Sequence, residues 1–511
     1  MTRLGFRSSS SLVLIAMLAA SCAGKAITSD PGSDGGTGGT TDTGGFGGTA
    51  GMGGSGGTAG IGGTGGTAGI GGSGGTAGIG GTGGTAGIGG TGGTAGIGGT
   101  GGTAGIGGTG GSANVYDPGI ISNNPDTVME AETHVAAAAN GFVAVAWIGI
   151  GGEPSSVNGY TFSKDGGTTW GPVASIPSPH GLASSDPVLA VDSKNNFYLT
   201  WVGFDDTSAN PSQMGIYVSR AAAGTTTFGE PVLVSEANAQ GMLDKPWITV
   251  TNKDTILVTW VQEANGGYTI DSMVARSEDG VLWERHKMAS APVGRNLYYP
   301  CAPAHGDRVW ATYVEYSFNT RVRLQHSDDD GKTWSQAVVV SESADISPAF
   351  DDPTCVADEN TVYVSYGVST DPVSQESQTF QRLQGIRVVR SDDGGETVAA
   401  RFQVADPQGK VYLHPQLARE GDGAIDLVYY AGAGDNDPGG SVRLARLAAG
   451  DTGFGPSVSI HAPIQYVLAR DSELWLGDYT GVIWLGGQLH VAFTDNAGGI
   501  SHVGYVRVHS P

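Results

Sequence analysis

The chain has 511 residues, 49 acidic and 26 basic, for a formal charge of −23, and 88 of them are glycine. So negative a protein repels phosphate backbones and anionic headgroups, which sets aside nucleic acid as a partner and membrane binding through charge. Composition also divides the length into an apolar N-terminal segment, an uncharged glycine tract and a long β-rich region, and only the last can bury a core.

At the N-terminus, Arg3 and Arg7 precede an apolar run from Leu12 to Ala20, followed by Ala19-Ala20-Ser21-Cys22. A short apolar stretch ending in small residues is an export signal, and the run is too short to span a bilayer. Residues 1–22 resemble a bacterial lipoprotein signal. That resemblance implies that Cys22 is lipidated, becomes the mature N-terminus, and anchors the chain at the outer membrane or cell surface. Ala19 stands where the pattern more often has Leu, and simple secretion is the alternative. Export permits a disulfide, and Cys301 and Cys355 are the remaining cysteines.

From Thr49 to Ser112 the chain repeats Thr-Ala-Gly-Ile-Gly-Gly-Thr-Gly-Gly with a period of nine. Calcium-binding β-rolls also repeat glycine every nine residues but need an Asp in each turn, and this tract has none. It buries little side-chain surface against the backbone entropy that glycine loses on ordering. Residues 23–114 are therefore expected to be a flexible spacer with an end-to-end distance of about 50 Å. An ordered glycine lattice or a glycosylated stalk is the alternative.

Beyond the spacer, short apolar runs alternate with Gly, Asp, Asn and Pro turns, which is an all-β pattern. One strand ending in an aromatic recurs seven times, closing on Trp147, Trp201, Trp260, Tyr313, Tyr366, Tyr429 and Phe493. The steps run from 53 residues (Trp260 to Tyr313) to 64 (Tyr429 to Phe493), the length of a four-stranded propeller blade with its loops. The last unit supplies three strands, and the segment from Asp117 to Ser122 matches the missing fourth. Residues 115–511 are therefore predicted to form a seven-bladed β-propeller, closed by pairing the N-terminal strand into the last blade.

The same region repeats Ser163-Lys-Asp165-Gly-Gly167-Thr-Thr169-Trp170 as Ser327-Asp-Asp329-Asp-Gly331-Lys-Thr333-Trp334, with weaker copies from Ser277 to Trp283 and from Ser391 to Val398. The Asp carboxylate and hydroxyls can bond the turn's own backbone while Gly takes a positive φ and Trp packs beneath. This spacing resembles the Asp box, or BNR repeat, of sialidases and their non-catalytic relatives. Sialidases are six-bladed, which makes six blades the alternative.

The residue before each recurrent proline begins an inner strand, so the seven equivalents converge at one end of the axis. They are Glu132 (with Thr133 in place of proline), Asp186, Lys245, Tyr299, Asp352, His414 and Asp478, accompanied by Asp244, Asp351, Trp247 and Tyr479. Such a ring is the expected ligand-binding site. In the same alignment Cys355 falls one residue beyond Cys301, so the two either face each other across blades four and five or point apart.

The sialidase resemblance implies an arginine triad, a Tyr nucleophile assisted by Glu, an Asp acid/base and an Arg-Ile-Pro motif. No Arg-Ile-Pro occurs, and Arg295, Arg308 and Arg470 approach the ring only by loop proximity. Tyr298 or Tyr299 with Glu315 is the available nucleophile pair, and Asp186, Asp352, Asp478 and Tyr299 are the catalytic candidates. The acidic surface also repels sialic acid at long range.

The first expectation is an exported, displayed propeller that binds a glycan or other polar ligand at an acidic channel mouth. An exo-acting glycoside hydrolase of sialidase type is the second, and a non-catalytic adhesion protein with a surface-protein partner the third. No cofactor is expected; a Ca²⁺ at the carboxylates or at Asp435-Asn-Asp437 competes with simple turn formation. The expected state is a monomer.

Overall fold

The computed structural model describes residues 49–107 as seven short segments, and residues 114–509 apart from stretches of which the longest are 302–307, 344–352, 369–384 and 405–410. Residues 1–22 with Cys22, and also Arg295, Asp351, Asp352, Asp435 and Arg470, lie outside the described residues. Two units form, the tract Lys25–Ala113 and the region Asn114–Ser510.

Within the tract, where composition reads as flexible spacer, each Thr-Ala-Gly-Ile-Gly segment is a strand. Alternate copies pair in parallel and in register: Thr49, Thr67, Thr85 and Thr103 stack in one sheet, and Thr58, Thr76 and Thr94 in the other. A strict nine-residue repeat sets each strand over an identical one two repeats later, so backbone groups find partners that no side chain supplies.

The second unit is a seven-bladed β-propeller. Its inner strands are Met129–Ala137, Ala183–Val191, Leu243–Val250, Asn296–Cys301, Thr354–Asp358, Val411–Arg419 and Gly481–Leu485. Each opens an antiparallel meander running outward in chain order. Successive inner strands lie side by side, and Gly481–Leu485 returns to Met129–Ala137, which closes the ring. In blade seven, Asn114–Val115 and Gly119–Ile120 pair with His502–His509 outside its three C-terminal strands.

The recurrent aromatics explain why this chain folds in blades. Each sits on the second strand of its meander, and all seven are buried. A strand covered on both faces by neighbouring blades reads as a nearly continuous apolar run, as Phe197–Phe204, buried throughout, does.

The Asp boxes form the turn after the third strand in blades one, three, four and five and pack against the blade before. Asp165 Oδ1 accepts from the amides of Thr168 and Thr169 at 3.0 and 2.8 Å and from the Ser163 hydroxyl at 2.7 Å; its Oδ2 takes the Thr169 hydroxyl at 2.6 Å. Ser163 Oγ in turn accepts the Gly167 amide at 2.8 Å. The Thr169 hydroxyl and amide and the Ser163 hydroxyl hold Asp165 well below the usual carboxylate range. Gly167, at φ +83°, abuts Tyr505 of blade seven so closely that a Cβ there would lie 2.0 Å from its hydroxyl, and Trp170 meets the Tyr505 ring edge-on at 4.7 Å. In the second box a Cβ on Gly331 would lie 2.7 Å from Leu257 of blade three. The glycine serves both the turn and this close approach.

Cys355, half-buried in the inner strand of blade five, is disulfide-bonded. The side chain of Cys301 lies outside the described residues.

Candidate ligand site at the axial mouth

Four inner strands carry the same irregularity at the same level. The strand pairing skips between Ala131 and His134, Ser185 and Val188, Asp244 and Trp247, and Leu413 and Gln416, each time leaving one extra residue on the inner strand. The ring residue of each bulge adopts a left-handed backbone: Glu132 at φ +49°, Asp186 at +52°, Lys245 at +49° and His414 at +52°. Each costs about 1–2 kcal/mol for a residue with a Cβ. The bulge re-aims one side chain toward the axis, and the following proline, in three of the four, has no amide to lose from the ladder.

The re-aimed groups meet at Lys245. Its Nζ donates to Asp186 Oδ1 at 2.6 Å and Asp478 Oδ2 at 2.7 Å and lies 3.5 Å from Glu132 Oε1. Blades one, two, three and seven are thereby tied by one ammonium, and all four side chains are buried. Burial opposes the charge on Lys245, but Asp186, Asp478, Glu132 and Asp244 outweigh it and raise the ammonium well above its ordinary value. Asp186 Oδ2 also accepts the Ser185 hydroxyl at 2.9 Å, and Asp244 Oδ1 the amide of Lys245 at 2.9 Å. Three carboxylates thus surround one cation.

Tyr479 lies behind this cluster. It is fully buried, its hydroxyl donates to the carbonyl of Pro187 at 3.2 Å, and its ring centroid is 5.9 Å from Lys245 Nζ. Burial, with Glu132 and Asp186 adding to it, raises the phenol well above its ordinary value, so it stays protonated and is a poor nucleophile. Trp247, half-buried, meets Tyr479 edge-on at 6.1 Å and His134 at 5.1 Å. These rings pack beside the ring of charge; the sequence reading makes Trp247 and Tyr479 ligand contacts. His134, which that reading passes over, accepts the Leu189 amide on Nδ1 at 3.2 Å, and burial lowers it to about 3.

His414 holds a backbone group. Its Nε2 lies 2.8 Å from the carbonyl of Gly477, the residue before Asp478. Tyr430, also of blade six, accepts the Thr480 hydroxyl at 3.2 Å and the Thr494 amide at 2.7 Å. Asp478 precedes its strand rather than lying in it, so blade six holds the segment that carries it. Gly477, at φ +90°, admits no Cβ, which would lie 2.5 Å from the Glu132 amide. Neither Tyr430 nor Gly477 gave a signal in the sequence beyond its place near the ring.

Of the other candidates, Tyr299 lies on Asn296–Cys301, regularly paired without a bulge, and its side chain, like that of Tyr298, is outside the described residues. Glu315, the imagined partner of a Tyr nucleophile, pairs with Arg323, and Arg308 pairs with Asp328 at 2.5 Å. Asp437 accepts its own loop's amides, from Ala433 at 2.6 Å and Gly439 at 3.0 Å, as a turn former does. Among the described residues no cluster of His, Cys, Asp and Glu has the geometry to hold a metal ion.

No family model and no curated protein matches the chain. Solved structures similar to it include the Hadza microbial sialidase Hz136, 12% identical over 75% of this chain and 66% of that one, with a TM-score of 0.47. The phage phi92 endosialidase is 9% identical over 78% of this chain and 70% of its own, at 0.46. The GH93 α-L-arabinofuranosidase of Fusarium graminearum is 15% identical over 77% and 98%, at 0.44. The chain thus spans just under two thirds of the first of these, and its seven-bladed fold rests on its own strand pairing.

Proposed function

We propose that the protein is an exported, surface-displayed propeller that binds a polar ligand, a glycan in the first instance, at the axial ring of Glu132, Asp186, Lys245 and Asp478. The observation that carries this is the convergence of those four side chains from four blades on one buried centre, three of them from left-handed backbone. Fixed carboxylates and an ammonium are the groups that bind hydroxyls by charge-assisted hydrogen bonds, and axial sites are where propellers gather residues from several blades. The aromatic layer of Tyr479, Trp247 and His134 packs beside them. Lipid anchorage through Cys22 completes the reading.

Binding of the purified protein to a glycan array, repeated with Asp186, Asp352 and Asp478 all changed to Ala, tests the site. Loss of binding with the circular-dichroism spectrum retained is expected; binding that survives intact removes the assignment. The second reading, glycoside hydrolysis, is favoured by the two carboxylates Asp186 and Asp478 held on one lysine. Release of sugar from fluorogenic sialosides or other aryl glycosides would replace the binding reading with that one.

A further inference from the structure

A second buried ionisable cluster lies away from the axis, on the seam between blades six and seven. Asp426, on the second strand of blade six, is 1% exposed. Its Oδ2 accepts the indole Nε1–H of Trp484, from the inner strand of blade seven, at 2.5 Å and lies 3.4 Å from Arg446 Nη1. Its Oδ1 is buried without a hydrogen-bond partner. Arg446 is the cross-strand neighbour of Asp426, and it is shared. Its Nη2 pairs with Glu420 and lies 4.0 Å from Asp422, both in the turn before the strand, while its guanidinium sits 5.8 Å from the Trp484 ring centroid.

Three carboxylates therefore compete for one guanidinium, and the most buried of them does not have the closest contact. A carboxylate with one oxygen unbonded in a dry site is destabilised as an anion. A proton removes the charge and leaves the Trp484 bond in place.

We propose that this seam is an acid-strengthened latch, in which a proton taken up by Asp426 tightens blade seven against blade six and its release loosens them. Burial raises Asp426 to about 6, with Arg446 and the Trp484 hydrogen bond opposing and Glu420 and Asp422 adding to the rise. In the opened seam the group returns toward its ordinary value of 3.8. The sign follows: the closed seam is favoured progressively as pH falls from about 6 to about 4, and the closed-to-open ratio changes by up to about a hundredfold across two pKa units. His461 and Asp495, 2.9 Å apart across the same two blades, form a separate pair, and a variant of Asp426 separates the two.

Hydrogen exchange, corrected for the intrinsic pH dependence of the rate, would be followed between pH 4.5 and 7.5 on peptides covering 425–432 and 481–485. Full-length wild type, D426N and E420Q would be compared. Wild-type protection is expected to fall tens of fold or more as pH rises, and D426N to hold the low-pH level throughout. E420Q, which frees Arg446 for Asp426, shifts the midpoint downward and keeps the test alive should D426N fold poorly. Seam protection independent of pH, a D426N profile parallel to wild type, or an upward shift in E420Q overturns the proposal.

Discussion

Replacing Lys245 with Met tests the electrostatics of the axial ring. The substitution keeps most of the side-chain volume but leaves Glu132, Asp186 and Asp478 facing one another without a cation. Removing one partner from a buried ion cluster costs about 3–5 kcal/mol, most of it the penalty of stranded charge. Unfolding Asn114–Ser510, roughly 400 residues, carries an entropy of about 0.8 kcal/mol per kelvin, so the melting temperature should fall by about 4–6 °C at pH 7. The pH dependence discriminates stranded charge from lost packing. The wild-type lysine, raised above its ordinary value, contributes stability that is complete below about 10.5 and is lost only as pH climbs through the raised value. In K245M the carboxylates can take up protons as pH falls, so the deficit should shrink by half or more at pH 4. Scanning calorimetry of both proteins at pH 4 and 7 measures it. An equal deficit at the two pH values, or none at pH 7, would refute the account.

The other predictions concern positioning, the turns and the aromatic layer. His414→Ala should leave the fold intact but weaken ligand binding about tenfold or more, because Gly477 and so Asp478 lose their tether; titration calorimetry against the best array ligand measures it. Asp329→Ala should cost about 1–3 kcal/mol, read by urea denaturation. Although burial opposes ionisation, the Thr333 and Ser327 bonds hold Asp329 at about 2, so its contribution is complete above about 3.8 and is lost as pH falls through 2. Gly167→Ala should destabilise by more than the usual Gly-to-Ala change, since φ is +83° and Tyr505 fills the space, and fluorescence-detected unfolding reports it. His134, lowered to about 3, contributes stability that is full above about 6.5 and disappears as pH falls toward 3; His134→Gln should reduce the acid sensitivity of unfolding in that window.

The fold was legible because burial in a propeller is periodic. Seven second strands need an aromatic at the same place, and a period near sixty residues survives where no single strand is distinctive. The meeting of Glu132, Asp186, Lys245 and Asp478 follows from the same repeat, since equivalent positions in a rotational repeat lie at one level whatever residues occupy them. What the ring does was not legible. Glu and Lys at left-handed φ have no sequence signature, because Gly, Asn, Asp and His are the residues that usually mark that region. His414 and Lys245 look alike as polar residues before a proline, yet one bonds a backbone carbonyl and the other gathers three carboxylates. In the glycine tract, period rather than side chains sets the pairing.

Two kinds of cost coincide at the axial mouth. Left-handed backbone recurs at one level of four blades, and charge is buried there with carboxylates outnumbering the cation three to one. The Asp boxes mostly place glycine at their positive φ, Asp330 of the second box being a buried exception at +63° that pairs with Arg276 of blade three, and Asp165 and Asp329 satisfy their carboxylates with local amides and hydroxyls. If the ring only had to tie blades together, apolar packing of the kind that joins the second strands would do so without the desolvation penalty. Strain and charge stored together at the one place where four blades can act jointly support reading it as the site under functional constraint. On that reading, replacing Glu132, Asp186, Lys245 and Asp478 together by apolar residues of similar size should leave the propeller as stable or more stable while abolishing ligand binding. A stable quadruple variant that still binds would send the search for the site elsewhere.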